Sequence, residues 1–229
     1  RLRYPLWHVR QAEITQSFMH ETCRAPMWYD EDLTLTDCTV NGIKSLREST
    51  HILITGCRID SEEFGWFCRD LKISNTRLES VYPFLRCRDM TIDNLTMKAK
   101  YAFQYIENVR ITHSELDTKD AFWHSRNVTV EDSVIKGEYL GWYSENLRLV
   151  RCKIVGTQPL CYARSLTLED CEMVGGDLSF ERSEVNATVC GHIDSVKNPL
   201  GGCIEADSIG EIIQDGSVRT DTPCRIILR

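Results

Sequence analysis

The stretch DAFWHSRNVTVEDSVIKGE at 120–138 and the stretch YLGWYSENLRLVRCKIVGT at 139–157 are two copies of one 19-residue unit. Each copy holds an apolar-x-apolar segment, a few polar residues, and a Ser or Cys that precedes a second short apolar segment. Apolar residues that alternate with polar ones over short runs are typical of strands that bury one face. The unit therefore predicts short strands joined by turns.

The unit recurs along most of the 229-residue chain. Its first strands start 19 residues apart, at residues 33, 52, 71, 90, 109, 128, 147 and 166. The copy AEITQSFM at 12–19 precedes its neighbour by 21 residues, which places two extra residues in the HETCRAP region at 20–26. All 5 tryptophans occupy one position of the unit, namely Trp7, Trp28, Trp66, Trp123 and Trp142. A period of about 20 residues indicates a stacked repeat protein.

The strand pattern selects the repeat architecture. Leucine-rich repeats have a similar period, but the chain lacks their L-x-x-L-x-L frame. The aromatic segments AFWH, LGWY and FGWF predict a third short strand in each unit. Three strands make one coil, so we predict an all-β fold, a single-stranded parallel β-helix (solenoid) of about eleven coils stacked ~4.8 Å apart.

The same pattern predicts one domain over residues 1–229. The coils extend to about residue 207, and the tail over about 208–229 lacks the repeat. We expect this tail to be a C-terminal cap, because the end of a solenoid must protect its open strand edge. An N-terminal cap is expected upstream of residue 1.

Residues at equal positions of successive units stack into columns. Asn and Asp dominate a turn column, where they tolerate left-handed dihedrals, which explains Asn127 without a glycan. The turn column consists of Asp32, His51, Asp70, Asp89, Asn108, Asn127, Asn146, Ser165 and Glu184. Small residues form a second column, which we predict to be an internal stack of free thiols and hydroxyls. That column consists of Cys38, Cys57, Thr76, Leu95, Ser114, Ser133, Cys152, Cys171 and Cys190.

The aromatic segment supplies the candidate binding residues. Strict alternation predicts that the tryptophan column lies mostly in the core and that the next residue of each unit points outward. The outward column contains charged residues and an aromatic stripe of Tyr105, His124, Tyr143 and Tyr162. We expect Phe84, Phe103 and Phe122 to lie beside this stripe and widen it. Stacked aromatic rings with polar tips are suited to binding a sugar or a protein.

Composition and charge exclude several functions. The net charge of −7 and the lack of a Lys/Arg cluster argue against nucleic acid. No apolar run approaches the ~20 residues that span a bilayer, so no membrane partner is expected. The 11 cysteines include no C-x-x-C pair, which fits neither a disulfide framework nor a metal site. We expect no metal and no cofactor, and a reducing, cytoplasmic location.

Several long motifs carry a family resemblance, namely YPLWH (4–8), DAFWHSRNVTV (120–130), GEYLGWYSENL (137–147), LCY (160–162) and HIDSVKNP (192–199). With these motifs the chain resembles a bacterial family of uncharacterised right-handed parallel β-helix proteins, a domain of unknown function within the pectin-lyase-like group. The resemblance implies a right-handed coil. It implies no catalytic residues, since the family has no established activity.

Two functions remain open. The first is a non-enzymatic protein that binds a carbohydrate or protein partner, or oligomerises, through the aromatic stripe. The alternative is a polysaccharide lyase or glycoside hydrolase that acts on the outer face of the third strand sheet. Such enzymes need paired acids or an acid and a base, and Asp120, His124 and Glu138 are the best set, because they lie near one another across two units. The oligomeric state is left open.

Overall fold

The computed structural model describes residues 2–229 as a parallel β-solenoid of about 12 coils with a period of about 19 residues, which confirms the predicted fold class. The described residues contain no helix. In chain order the strands are β1 (Leu6–Trp7), β2 (Arg10–Thr15), β3 (Phe18–Met19), β4 (Met27–Trp28), β5 (Glu31–Thr36), β6 (Thr39–Val40), β7 (Lys44–Arg47), β8 (Thr50–Thr55), β9 (Arg58–Asp60), β10 (Glu63–Trp66), β11 (Arg69–Glu79), β12 (Tyr82–Pro83), β13 (Arg88–Lys98), β14 (Glu107–Thr112), β15 (Glu115–Asp117), β16 (Arg126–Glu131), β17 (Val134–Lys136), β18 (Glu145–Val150), β19 (Lys153–Val155), β20 (Leu166–Val174), β21 (Glu184–Lys197), β22 (Gly201–Ile213) and β23 (Arg225–Leu228).

Strands of successive coils pair in parallel with the predicted register. Val109 of β14 pairs with Val128 of β16, which pairs with Leu147 of β18, so each step is one 19-residue unit. Arg10 of β2 pairs with Glu31 of β5, a step of 21 residues. This longer step confirms the two extra residues of the first coil.

The third face of the solenoid is a regular sheet only in the first coils. There β1, β4, β7, β10 and β12 form a 5-stranded sheet, so the strand predicted for FGWF is confirmed. In the later coils the segments AFWH and LGWY form turns and bends, so the third strand predicted for them is wrong. Left-handed residues at Phe122 (φ 63°) and His124 (φ 52°) interrupt the extended backbone there.

Both predictions for the other aromatic columns are wrong. Phe84, Phe103 and Phe122 do not widen the outward stripe, since all three are fully buried. Phe103 stacks on Phe84 with ring centroids 5.0 Å apart and on Phe122 at 5.3 Å. These phenylalanines occupy the core positions that alternation assigned to tryptophan.

The tryptophans instead lie at the surface of the coil. Trp7 is 39% exposed, and the other four are half-buried. Each indole N–H donates to a backbone carbonyl 16 or 18 residues further along the chain; the Trp123 Nε1–Tyr139 O and Trp142 Nε1–Gln158 O distances are both 2.8 Å. A tryptophan that packs one ring face and satisfies its polar tip is stable at such a half-exposed position.

The turn column and the small-residue column follow the prediction with one exception in each. Asn127 has φ 52° and donates from Nδ2 to Oδ1 of Asn108 over 3.1 Å, and similar bonds link the neighbouring coils. Inside, the Ser133 hydroxyl accepts from the Ser114 N–H at 3.0 Å. Cys190 was expected in this internal column but is exposed, because a bulge between β20 and β21 pairs Cys171 with Val189 instead. Glu184 lies within β21 rather than at a left-handed turn.

The end of the chain continues the pairing beyond residue 207. Residues 208–213 belong to β22 and pair with β21, and β23 adds a final parallel strand to β22. The role of this tail as a cap stays a prediction. Within residues 2–229, no helix is long and apolar enough to cross a membrane.

Candidate functional site

The backbone at the corner of each coil decides which aromatic ring faces solvent. In the coil of the opening motif, Phe122 and His124 both have positive φ, while Trp123 between them does not. Residues two apart in a strand share one face, but two left-handed residues turn the chain between them. Phe122 is therefore buried, Trp123 is half-buried, and His124 is exposed.

The four residues of the predicted stripe form an aromatic ladder, by which we mean Tyr105, His124, Tyr143 and Tyr162. Successive ring centroids are 5.0 Å apart, and the ring planes differ by 7°, 9° and 16°. Tyr105 is 47% exposed and Tyr143 is 45% exposed, which confirms the predicted outward orientation of the stripe. Because the ring faces cover one another, the ladder presents ring edges and polar tips to solvent.

The ends of the aromatic ladder meet charged groups. The Arg86 guanidinium lies over the Tyr105 ring, 5.3 Å from its centroid, in a cation–π contact. At the other end, burial and then the charge of Glu181 raise the pKa of the Tyr162 hydroxyl. The sequence placed Glu181 next in the outward column. The structure places Arg182 there, because the Tyr162 N–H donates to the Glu181 carbonyl and Arg182 has the left-handed φ of the column.

A row of alternating charges runs beside the aromatic ladder. We call Arg88, Glu107, Arg126, Glu145 and Arg164 the charge ladder. Nε of Arg88 lies 3.6 Å from Oε2 of Glu107, and Nε of Arg126 lies 3.4 Å from Oε2 of Glu145. The side chains stay largely exposed, which agrees with the predicted solvent-side position of this column.

The two ladders enclose a groove along the rod. One part has a volume of about 440 Å³ and extends from Arg86 and Arg88 to Tyr143 and Glu145. A second part of about 400 Å³ shares His124, Tyr143 and Glu145 with the first and reaches Arg182. The groove thus extends over the whole aromatic ladder.

The candidate catalytic residues do not converge in this groove. His124 lines it, whereas Asp120 and Glu138 are not among its lining residues. Asp120 is 8% exposed, and its Oδ1 has no hydrogen-bond partner among residues 2–229. Burial raises the pKa of Asp120, and the nearby charge of Glu138 adds to the rise. Glu138 is exposed and lies 3.8 Å from Nζ of Lys119.

The family model described as "Protein of unknown function (DUF3737)" matches residues 1–227. The chain belongs to this family. No curated protein and no solved structure matches the chain. Membership of the DUF3737 family confirms the expected domain of unknown function. Because that description states no activity, any function must be argued from the groove and its residues.

One group of side chains in this DUF3737 protein has the donor set of a cation site. Oxygen or nitrogen atoms of Glu31, Asp32 and His51 all lie within 4.8 Å of one another. Asp32 and His51 are successive members of the turn column, and Nδ1 of His51 lies 3.2 Å from Oδ1 of Asp32. The stacking of turn residues on adjacent coils explains this approach. The three side chains are half to fully open to solvent, so the cluster has no enclosed cavity for an ion.

Proposed function

We propose that this DUF3737 protein is a non-enzymatic binding protein whose partner lies in the groove along the aromatic ladder. One observation supports the proposal most strongly. The exposed rings Tyr105, His124 and Tyr143 line the same groove as the guanidinium groups of Arg86 and Arg126. Aromatic residues and arginine are the residue types enriched where proteins contact their partners.

The chemistry of the groove favours contact with ring edges rather than stacking on ring faces. The faces are occupied within the aromatic ladder at 5.0 Å spacing, and Arg86 covers the outer face of Tyr105. The exposed edge of an aromatic ring carries partial positive charge. The tyrosine hydroxyls and the guanidinium groups add hydrogen-bond donors, so a partner with carboxylates or carbonyls fits this surface best.

Intrinsic fluorescence tests this proposal, because Trp142 lies 6.2 Å from Tyr143 and reports on the groove. The protein is titrated with polygalacturonate, dextran and an acidic peptide, and its self-association is followed separately by sedimentation. We expect at least one of these to bind and Tyr143→Ala to weaken that binding by about tenfold or more. Phe18→Ala is the matched control, since Phe18 is 61% exposed and lies outside the groove. Absence of all binding, or equal loss in both variants, would refute the proposal.

The alternative carbohydrate-active enzyme stays a prediction with one supporting observation. A carboxyl whose pKa is raised by burial, as at Asp120, suits a general acid. The test is cleavage of the same polysaccharides with and without Ca²⁺. An activity that Asp120→Asn abolishes while Asp117→Asn retains it would establish the enzyme and overturn the binding-only proposal.

We also infer a reducing, cytoplasmic setting in a bacterial cell and a place in the pectin-lyase-like group. The inference of a reducing setting is supported by neighbouring buried thiols: the Cys57 Sγ accepts from the Cys38 N–H at 3.4 Å, and both residues are nearly inaccessible. Adjacent thiols of this kind persist where the cell keeps cysteines reduced. Thiol alkylation of cell extracts followed by mass spectrometry checks this, and a Cys38–Cys57 disulfide in fresh extract would contradict it.

A further inference from the structure

We propose that the partner in the groove is a second copy of this chain, antiparallel to the first, with the two charge ladders face to face. The inference rests on the proposed function, because it names the partner of the same groove. One pattern carries it. Along the charge ladder the sign of the side chain reverses at every coil, from Arg88 through Glu107, Arg126 and Glu145 to Arg164.

An alternating ladder is complementary to itself in only one of the two symmetric arrangements. Consider a two-fold axis that lies in the interface, crosses the rods at a right angle and passes midway between two adjacent coils. It places each ladder residue opposite a residue an odd number of coils away, so every arginine meets a glutamate. A two-fold axis along the rods places equal heights together, so that Arg126 would face Arg126. A closed dimer with a self-complementary patch therefore requires the antiparallel arrangement.

The aromatic column selects a register within that arrangement. With the axis between the coils of Glu107 and Arg126, Tyr105 meets His124 of the second copy at the centre of the interface. In the same register Arg86 faces Tyr143 of the second copy, which allows a second cation–π contact. Further out, Glu48 faces Arg182. All of these residues have the left-handed φ that directs the column toward solvent.

The arginines of the charge ladder have donors to spare for this contact. The closest approach within the chain runs through Nε, at 3.6 Å for Arg88 and 3.4 Å for Arg126. A guanidinium has five N–H donors, so its terminal nitrogens remain available to a carboxylate of the second copy. The Arg126 and Glu145 side chains are 66% and 58% exposed, so neither is shielded from a second copy.

The expected dimer is weak. A standard interface covers ~800 Å² on each partner, and one strip of a narrow rod provides less, so we expect a Kd of about 1–100 µM. At the outer ends of this register Arg69 meets Arg164, and this repulsion lowers the affinity further, although both are exposed and screened by salt.

Complementary charge reversal tests the inference by sedimentation velocity. One variant carries Glu107→Arg with Glu145→Arg, and the other carries Arg88→Glu with Arg126→Glu. Each variant alone places like charges opposite each other, so we expect its dimerisation to weaken at least about tenfold. An equimolar mixture restores opposite charges across the interface and should form the mixed dimer with an affinity near that of the wild type. Lys153→Glu, which reverses an exposed charge on another face, should leave dimerisation unchanged.

The mixture separates the interface from folding, because each variant loses the same internal ion pairs alone and in the mixture. A wild-type chain that stays monomeric up to about 500 µM would overturn the inference. Failure of the mixture to recover dimers would overturn it as well. In either case, a Tyr143-dependent response to polygalacturonate or to the acidic peptide would leave the proposed binding function standing, so the two failures are distinguishable.

Discussion

The exchange of core and surface positions within the aromatic segment predicts very different costs for two neighbouring substitutions. Phe103 is fully buried between Phe84 and Phe122, whereas Tyr105 is 47% exposed. Replacing a buried phenylalanine by alanine costs about 3–5 kcal/mol. Tyr105→Ala loses roughly half a buried ring and so costs about 1 kcal/mol, with the cavity term small at the surface.

These two substitutions are well matched, because the backbone contribution cancels. Phe103 has φ 58° and Tyr105 has φ 55°, so alanine meets the same left-handed backbone at both positions. We therefore expect Phe103→Ala to lower the free energy of unfolding by about 3 kcal/mol more than Tyr105→Ala. Urea unfolding followed by circular dichroism measures the difference. Equal effects, or a larger effect at Tyr105, would refute the assignment of the phenylalanine column to the core.

Three further predictions concern the coil corners and a buried acid. Trp142→Phe removes the indole N–H that Gln158 accepts and should cost about 1 kcal/mol in urea unfolding, with no effect pointing to a dispensable bond. Asn127→Ala should destabilise by about 1 kcal/mol more than Asn127→Gly, because only glycine adopts φ 52° without strain; the opposite order would contradict a left-handed turn. Burial raises the pKa of Asp30 to about 6, so its stabilising contribution is complete below 3.8 and is lost as pH rises through about 6. Asp30→Asn should make the stability profile flatter across that range, and an unchanged profile would show that Asp30 does not titrate there.

The 19-residue period made most of the fold predictable. Columns that repeat at one spacing can only stack, so the coil, the parallel register and the longer first step all followed from the positions of apolar residues and tryptophans. The asparagine turns were predictable for a local reason. Asn127 tolerates a left-handed backbone, and a stack of such residues forms side-chain bonds between coils.

The orientation of the aromatic segment was not predictable from alternation. Bulky residues rarely adopt positive φ, so the sequence contained no sign that Phe122 and His124 are both left-handed. Their backbone follows from the corner that the stacked coils impose, which outweighs local preference. The positions of Cys190 and Arg182 were missed for a related reason, since a one-residue change in step shifts every column after it.

Hydroxyl-radical footprinting at increasing protein concentration tests most directly whether the aromatic ladder is the contact surface. In dilute solution Tyr105, His124 and Tyr143 should react readily, because all three are exposed. Above the dimer Kd their oxidation should fall severalfold, while oxidation of Phe18, which lies outside the groove, stays constant. Equal oxidation of the aromatic ladder at every concentration, together with no protection by polygalacturonate or the acidic peptide, would contradict a binding role for this face.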